Sequence, residues 1–151
     1  MARSLGLDVG NRRVGVAVSD TLKLIARPVE IVDRRMVDVF QRIVAIVQEQ
    51  QVDEIVIGYP WNTNGTAGTQ AQSVERFTET LRQRISVPLI YSDERYSTGE
   101  AREIIGAKKR KDQSDLDDAI AAAVILQRYL DARREQISMD ESFDDGYLTS
   151  D

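Results

Sequence analysis

The sequence predicts an α/β protein with a mixed five-stranded sheet and helices on both faces. Three observations lead there. Leu5, Leu7 and Val9 alternate with Gly6 and Asp8, and Val14, Val16 and Val18 alternate with Gly15 and Ala17, across the turn Gly10-Asn11-Arg12-Arg13. Period two on both sides of a short polar turn is the mark of a hairpin. Further on, the unbroken run Ile55-Val56-Ile57 follows a helical pattern, as expected of a parallel strand covered on both faces. The predicted order, three strands and then helix, strand, helix, strand, helix, helix, gives a sheet with an antiparallel and a parallel half.

Taken in order, Leu24 to Val32 (LIARPVEIV) reads as a third strand, placed at the sheet edge because Pro28 cannot donate to a ladder. Met36, Val37, Phe40, Ile43, Val44 and Val47 recur at helical spacing in a segment ending near Gln51. Val52 to Tyr59 is the parallel strand. The loop from Pro60 to Gly68 lies beyond its carboxyl end, where open α/β sheets bind ligands, and Trp61 there either stacks on a base or covers the sheet edge. Ala71, Val74, Phe77, Thr78 and Leu81 define a second helix, and Leu89-Ile90-Tyr91 a last strand. Ser97 and Glu100 have capping-box spacing for a short helix. After the basic loop 106–112, Ser114 can cap a long helix to about Gln136, rich in alanine.

The chain has 151 residues, 42% apolar and 30% charged, a composition suited to one globular domain with a real core. It carries no membrane-length apolar run and enters a strand at its start, so the expected location is the cytoplasm. Cysteine and histidine are both absent. Their absence excludes disulfides, the usual zinc sites, Ser-His and Cys-His nucleophiles and any imidazole acid-base step. If the chain is an enzyme, carboxylates carry the chemistry. The net charge of −5 argues against a nucleic-acid partner only as an average, because Asp140, Glu141, Asp144, Asp145 and Asp151 all lie in a tail without Lys or Arg. Without those five acids, 20 acids balance 20 bases. Residues 1–136 are therefore read as the folded domain and 137–151 as an acidic, disordered tail.

Asp8 in mid-strand is costly unless it is paired or bound to a metal. Gly6, Gly10 and Gly15 clear its surroundings for a phosphate, an ion or another backbone; alternatively, Asp8 ends the strand and caps the turn. In the last predicted helix, Asp115 and Asp118 share a stripe with Ala122, Ile125 and Tyr129. Asp115 reads as complementing the helix dipole, and Asp118, a turn further in, as either that or a site residue. Asp8, Glu94 after the last strand and Asp118 can converge at one sheet edge. Three hard oxygen donors suit Mg²⁺ or Mn²⁺, and such clusters hold two ions that drive phosphodiester cleavage.

Four blocks carry a family resemblance: GLDVGNRRVGVAVSD; Gly58-Tyr59-Pro60 with Asn64-Gly65-Thr66; Asp93-Glu94-Arg95 with Ser97-Thr98; and Asp118-Ala119-Ile120-Ala121-Ala122 with Ile125-Leu126-Gln127. In this order, covering the chain to about Tyr129, they resemble the YqgF (RuvX) family. The resemblance implies a ribonuclease H-like fold and a nuclease that trims the 5′ end of precursor 16S ribosomal RNA; an older assignment is Holliday junction resolvase, by likeness to RuvC. It implies Asp8, Glu94 and Asp118 as catalytic, metal-holding acids, with Asp115 matching the second acid of a resolvase-like Asp-x-x-Asp pattern. Two departures stand out: Ala119, where the family commonly has Ser, and the acidic tail, which lies outside the family pattern.

Candidate phosphate contacts are Arg12 and Arg13 in the first turn, Arg95, and Lys108, Lys109, Arg110 and Lys111 in the basic loop. The expected partner is precursor rRNA, with structured DNA and a ribosomal partner as further candidates. Three rivals remain: a junction-cutting DNA endonuclease, a phosphate-binding ATPase fold, and a binding module without chemistry. Length opposes the ATPase, which needs two such domains, and retention of all three acids opposes the inert module.

Overall fold

Alternating valines and leucines pull the first three strands into one meander, and the later elements extend it. The computed structural model describes residues 2–60, 69–93 and 119–136. Its elements are β1 (Arg3–Val9), β2 (Arg13–Ser19), β3 (Ala26–Asp33), α1 (Val39–Glu49), β4 (Val52–Tyr59), α2 (Thr69–Arg82), β5 (Leu89–Asp93) and a helix, α3, over 119–136. The strand order is β3-β2-β1-β4-β5. β1 pairs antiparallel with β2 and parallel with β4, so the first strand of the chain is the middle strand of the sheet.

The two faces are filled differently. Leu5, Leu7, Val9, Val14, Val16, Val18, Ile55 and Ile57 meet Ile43 and Ile46 of α1 and Val74, Phe77 and Leu81 of α2. The opposite face sets Ala17 and Val56 against Ala122, Ile125, Leu126 and Leu130 of α3. Small residues on that face let α3 lie close, with Gly6 beneath Ala122 and Leu126. The expected mixed sheet with helices on both faces is thus present.

β3 forms the edge, as Pro28 predicts. Its ladder with β2 slips where Val16 pairs with Glu30 and Ala17 with Pro28, leaving Val29 as an extra bulged residue. α1 begins later than the apolar spacing predicts. The Asp38 carboxylate accepts from the backbone N–H groups of Phe40 and Gln41, fixing the helix start, while Met36 and Val37 stay exposed before it. At its far end Gln51 adopts a left-handed φ of 54° before β4. All five predicted core positions of α2 are buried. Among the described residues no helix is long and apolar enough to cross a membrane.

Candidate functional site

Asp8 sits one residue from the carboxyl end of the central strand, on the face that carries α3. Its β2 partner is Gly15, and on its other side Gly58 follows Ile57, the β4 partner of Leu7. Glycine on both flanks means that neither neighbouring strand sets a side chain beside the carboxylate at that register, and Asp8 is half-buried. The period-two reading that groups Asp8 with glycines is correct. The pair register adds Gly58, which the sequence signals only as the residue ending the run Ile55-Val56-Ile57.

Asp8, Gly10, Arg12 and Arg13 line a hollow of about 300 Å³. The turn that forms its wall is tightly held. The Gly10 N–H donates to the Arg13 carbonyl at 2.9 Å, and a Cβ on Gly10 would lie 2.7 Å from that same oxygen, so position 10 admits no side chain without a shift. Arg34 braces the turn from the α2 side of the sheet: its guanidinium donates to the Gly10 carbonyl at 2.9 Å and lies 5.3 Å from the centre of the Phe77 ring. Its backbone N–H donates to the Arg12 carbonyl at 2.7 Å. Sequence reasoning gave Arg34 no role, since nothing local distinguishes it from its neighbour Arg35.

The two turn arginines are placed differently by their surroundings. Arg12 is exposed and lies 3.6 Å from the Asp33 carboxylate. Asp33 is held below the usual carboxylate range by the Arg35 backbone N–H and by nearby guanidinium groups, with slight burial opposing them. Both Arg12 and Arg13 line the Asp8 hollow.

Two polar clamps set the position of α3. Gln127 accepts from the Ala26 N–H at 2.8 Å and donates to the Leu24 carbonyl at 2.9 Å. Glu54, buried near the start of β4, accepts from the Ser4 hydroxyl at 2.5 Å, Lys23 at 3.0 Å, the Tyr129 hydroxyl at 3.0 Å and Arg133 at 3.0 Å. Burial pushes this carboxyl up, but the Ser4 and Lys23 hydrogen bonds and the Lys23 charge outweigh it, so its pKa ends below the ordinary value. Tyr129 and Arg133 thus lie over the start of the strands and Ala122 over Gly6. Helix α3 therefore runs antiparallel to β1, and its first described residue, Ala119, lies on the Asp8 side of Gly6.

Tyr59, at the end of β4, donates to Glu75 at 2.5 Å and meets Tyr91 edge-on at 4.8 Å. The Glu75 hydrogen bond, together with burial, pushes its phenol up to about 12. Glu94, Asp115, Asp118, Arg95, Lys108, Lys109, Arg110 and Lys111 lie outside the described residues, as do Trp61 and the tail. Among the described residues, no three carboxylates gather into a metal-holding group.

A mixed sheet in this order, with a carboxylate on its central strand and a helix returning over that strand, has the ribonuclease H-like arrangement of RuvC-type resolvases. The fold resembles T. thermophilus RuvC in complex with a Holliday junction substrate, with TM-score 0.55 and 18% identity over 89% of this chain and 96% of that one. It also resembles the fowlpox virus resolvase complex with Holliday junction DNA, with TM-score 0.52 and 11% identity over 86% and 97%. The family model RuvX, described as Holliday junction resolvase, matches residues 2–132, and the chain belongs to the RuvX family of nucleases. Relatives named "Putative pre-16S rRNA nuclease" include those of Geobacillus kaustophilus, 45% identical over 87% of this chain and 99% of the relative, and Thermoanaerobacter pseudethanolicus, 40% identical over 89% and 99%.

Proposed function

We propose that this chain is a metal-dependent ribonuclease that matures the 5′ end of precursor 16S rRNA. The observation that carries the reading is the placement of Asp8: a carboxylate between two glycine-bearing strands, beside an arginine turn, on the face over which α3 begins. Chain continuity puts Asp118 directly before Ala119.

The donor set fits a hard divalent ion. The chain has neither His nor Cys, so carboxylate oxygens are the available anionic ligands, and the glycines around Asp8 leave space for an ion and a phosphate. Asp8, Glu94 and Asp118 would hold Mg²⁺ or Mn²⁺, two ions in this reading, with Asp115 as a further ligand. Ions held there would supply an activated water and charge neutralisation at the departing oxygen. Arg12 and Arg13 draw the scissile phosphate into the hollow and fix its orientation, and Arg95 and the loop Lys108 to Lys111 hold the adjoining strand. Precursor rRNA is favoured as substrate by the name that relatives at 40–45% identity bear. The family description favours junction DNA as the second reading.

The deciding experiment sets a labelled precursor-rRNA leader beside a DNA four-way junction, with Mg²⁺, Mn²⁺ or EDTA and with Asp8→Asn as control. Metal-dependent RNA cutting that Asp8→Asn abolishes is the expected result. Junction cutting alone would transfer the activity to DNA, and cleavage of neither would refute the nuclease mechanism.

A further inference from the structure

On the α2 side of the first turn lies a second cavity, of about 380 Å³, lined by Asn11, Thr69, Gln70, Ser73 and Arg76. The tetrapeptide Gly10 to Arg13 separates the two hollows: Gly10, Arg12 and Arg13 line the one at Asp8, and Asn11 lines the other. The Ser73 hydroxyl donates to the Asn11 side-chain oxygen at 3.3 Å, tying turn and helix together.

The described lining is wholly polar and lacks a carboxylate. Its cation, Arg76, is exposed, and among the described residues its guanidinium forms no hydrogen bond or ion pair. That sets it apart from Arg34, Arg42, Arg82, Arg84 and Arg133, each committed to a carbonyl, a carboxylate or both. An uncommitted guanidinium among hydroxyls and amides suits an anion that also bears hydroxyl groups. No aromatic ring stands among the described lining residues, so the wall offers contacts to sugar and phosphate rather than base stacking.

We propose that this cavity holds a ribose-phosphate unit of a single-stranded RNA, with Arg76 on the phosphate and Asn11, Gln70 and Ser73 on the ribose hydroxyls. Asp8 and Asn11 are three residues apart, at most about 11 Å along the chain, so a strand with its scissile phosphate at Asp8 reaches the cavity within about one or two nucleotides. Amide and hydroxyl side chains both donate and accept, as the 2′-hydroxyl does, and that group distinguishes RNA from DNA. The inference rests on the nuclease reading for the identity of the strand.

The test is fluorescence anisotropy of a short single-stranded RNA and the DNA of identical sequence, over a salt series in EDTA, beside cleavage of the same RNA with Mg²⁺. Arg76→Gln is expected to weaken RNA binding about tenfold and to lower the salt slope by about 0.7. Ser73→Ala and Gln70→Ala are expected to weaken RNA more than DNA. Arg82→Gln, which removes an ion-paired arginine of the same helix, should change neither. Unchanged binding in Arg76→Gln, an equal loss in Arg82→Gln, equal losses on RNA and DNA, or no RNA binding by the wild type would overturn the proposal. RNA binding by the wild type without cleavage would refute the nuclease reading and leave the cavity assignment standing.

Discussion

Gly6 of β1 and Leu126 of α3 meet with no room for a side chain at position 6: a Cβ there would lie 2.7 Å from the Leu126 Cβ and 2.9 Å from the Ala122 carbonyl oxygen. Neither obstacle is the end of a flexible side chain, so the helix itself must move. Gly6→Ala is therefore expected to destabilise the protein by about 1–3 kcal/mol, the usual cost of overpacking. Urea denaturation measures this, and stability equal to wild type would mean that α3 shifts freely on the sheet. Because Ala119, the first described residue of α3, lies on the Asp8 side of Gly6, nucleolytic activity should fall further than the folded fraction does.

Single neutralisations at the site test the roles of the acids. Asp8→Asn, Glu94→Gln and Asp118→Asn are each expected to cut metal-dependent cleavage by about two orders of magnitude or more while the circular dichroism spectrum stays unchanged. Full activity in any one variant would remove that residue from the mechanism.

The basic loop yields to a salt titration. Replacing Lys108, Lys109, Arg110 and Lys111 with glutamine should weaken RNA binding and flatten its dependence on ionic strength. A slope equal to wild type would return the loop to a merely solvated charge run.

Glu54 links stability to pH. Its folded pKa is depressed from 4.5, so its contribution is fully present above that value and is lost as the pH falls through the lower, folded-state value. Glu54→Gln should cost about 3 kcal/mol at neutral pH, since Lys23 and Arg133 lose the carboxylate they share. The deficit should shrink under acid. Denaturant midpoints at neutral and at acid pH measure it, and a deficit independent of pH would show that packing, not charge, holds the cluster.

Gln51 offers a gain instead. A non-glycine residue at φ 54° is strained, so Gln51→Gly should stabilise by about 1 kcal/mol. That corresponds to a rise in melting temperature of about 2–4 °C. No rise would show that the Gln51 side chain offsets its strain.

The sheet was legible because its first strands follow period two, its parallel strand is an unbroken apolar run and its proline lies at the edge: Leu5, Val14 and Val16 are buried as the alternation requires, and Ile55, Val56 and Ile57 as the run requires. The strand position of Asp8 was legible from the same alternation, as the charge that shares its face with Gly6 and Gly15. Helix ends were less so, since the Asp38 side chain, not the apolar spacing that includes Met36 and Val37, decides where α1 starts. The Arg34 brace and the Glu54 cluster were not legible. Each joins residues far apart in the chain, Glu54 to Arg133 among them, and one sequence carries no sign of such meetings.

The central position of β1 has a consequence for synthesis. β1 is covered on one face by α3, which is made 120 positions later, counted from Gly6 to Leu126. At a translation rate of about 5–20 residues per second, that face waits several seconds for its cover. Until then it presents mostly small residues, Gly6, Gly15 and Ala17 beside Val56, while the other face carries the larger aliphatic set, so the growing chain keeps its stickiest surface for the helices that arrive earlier.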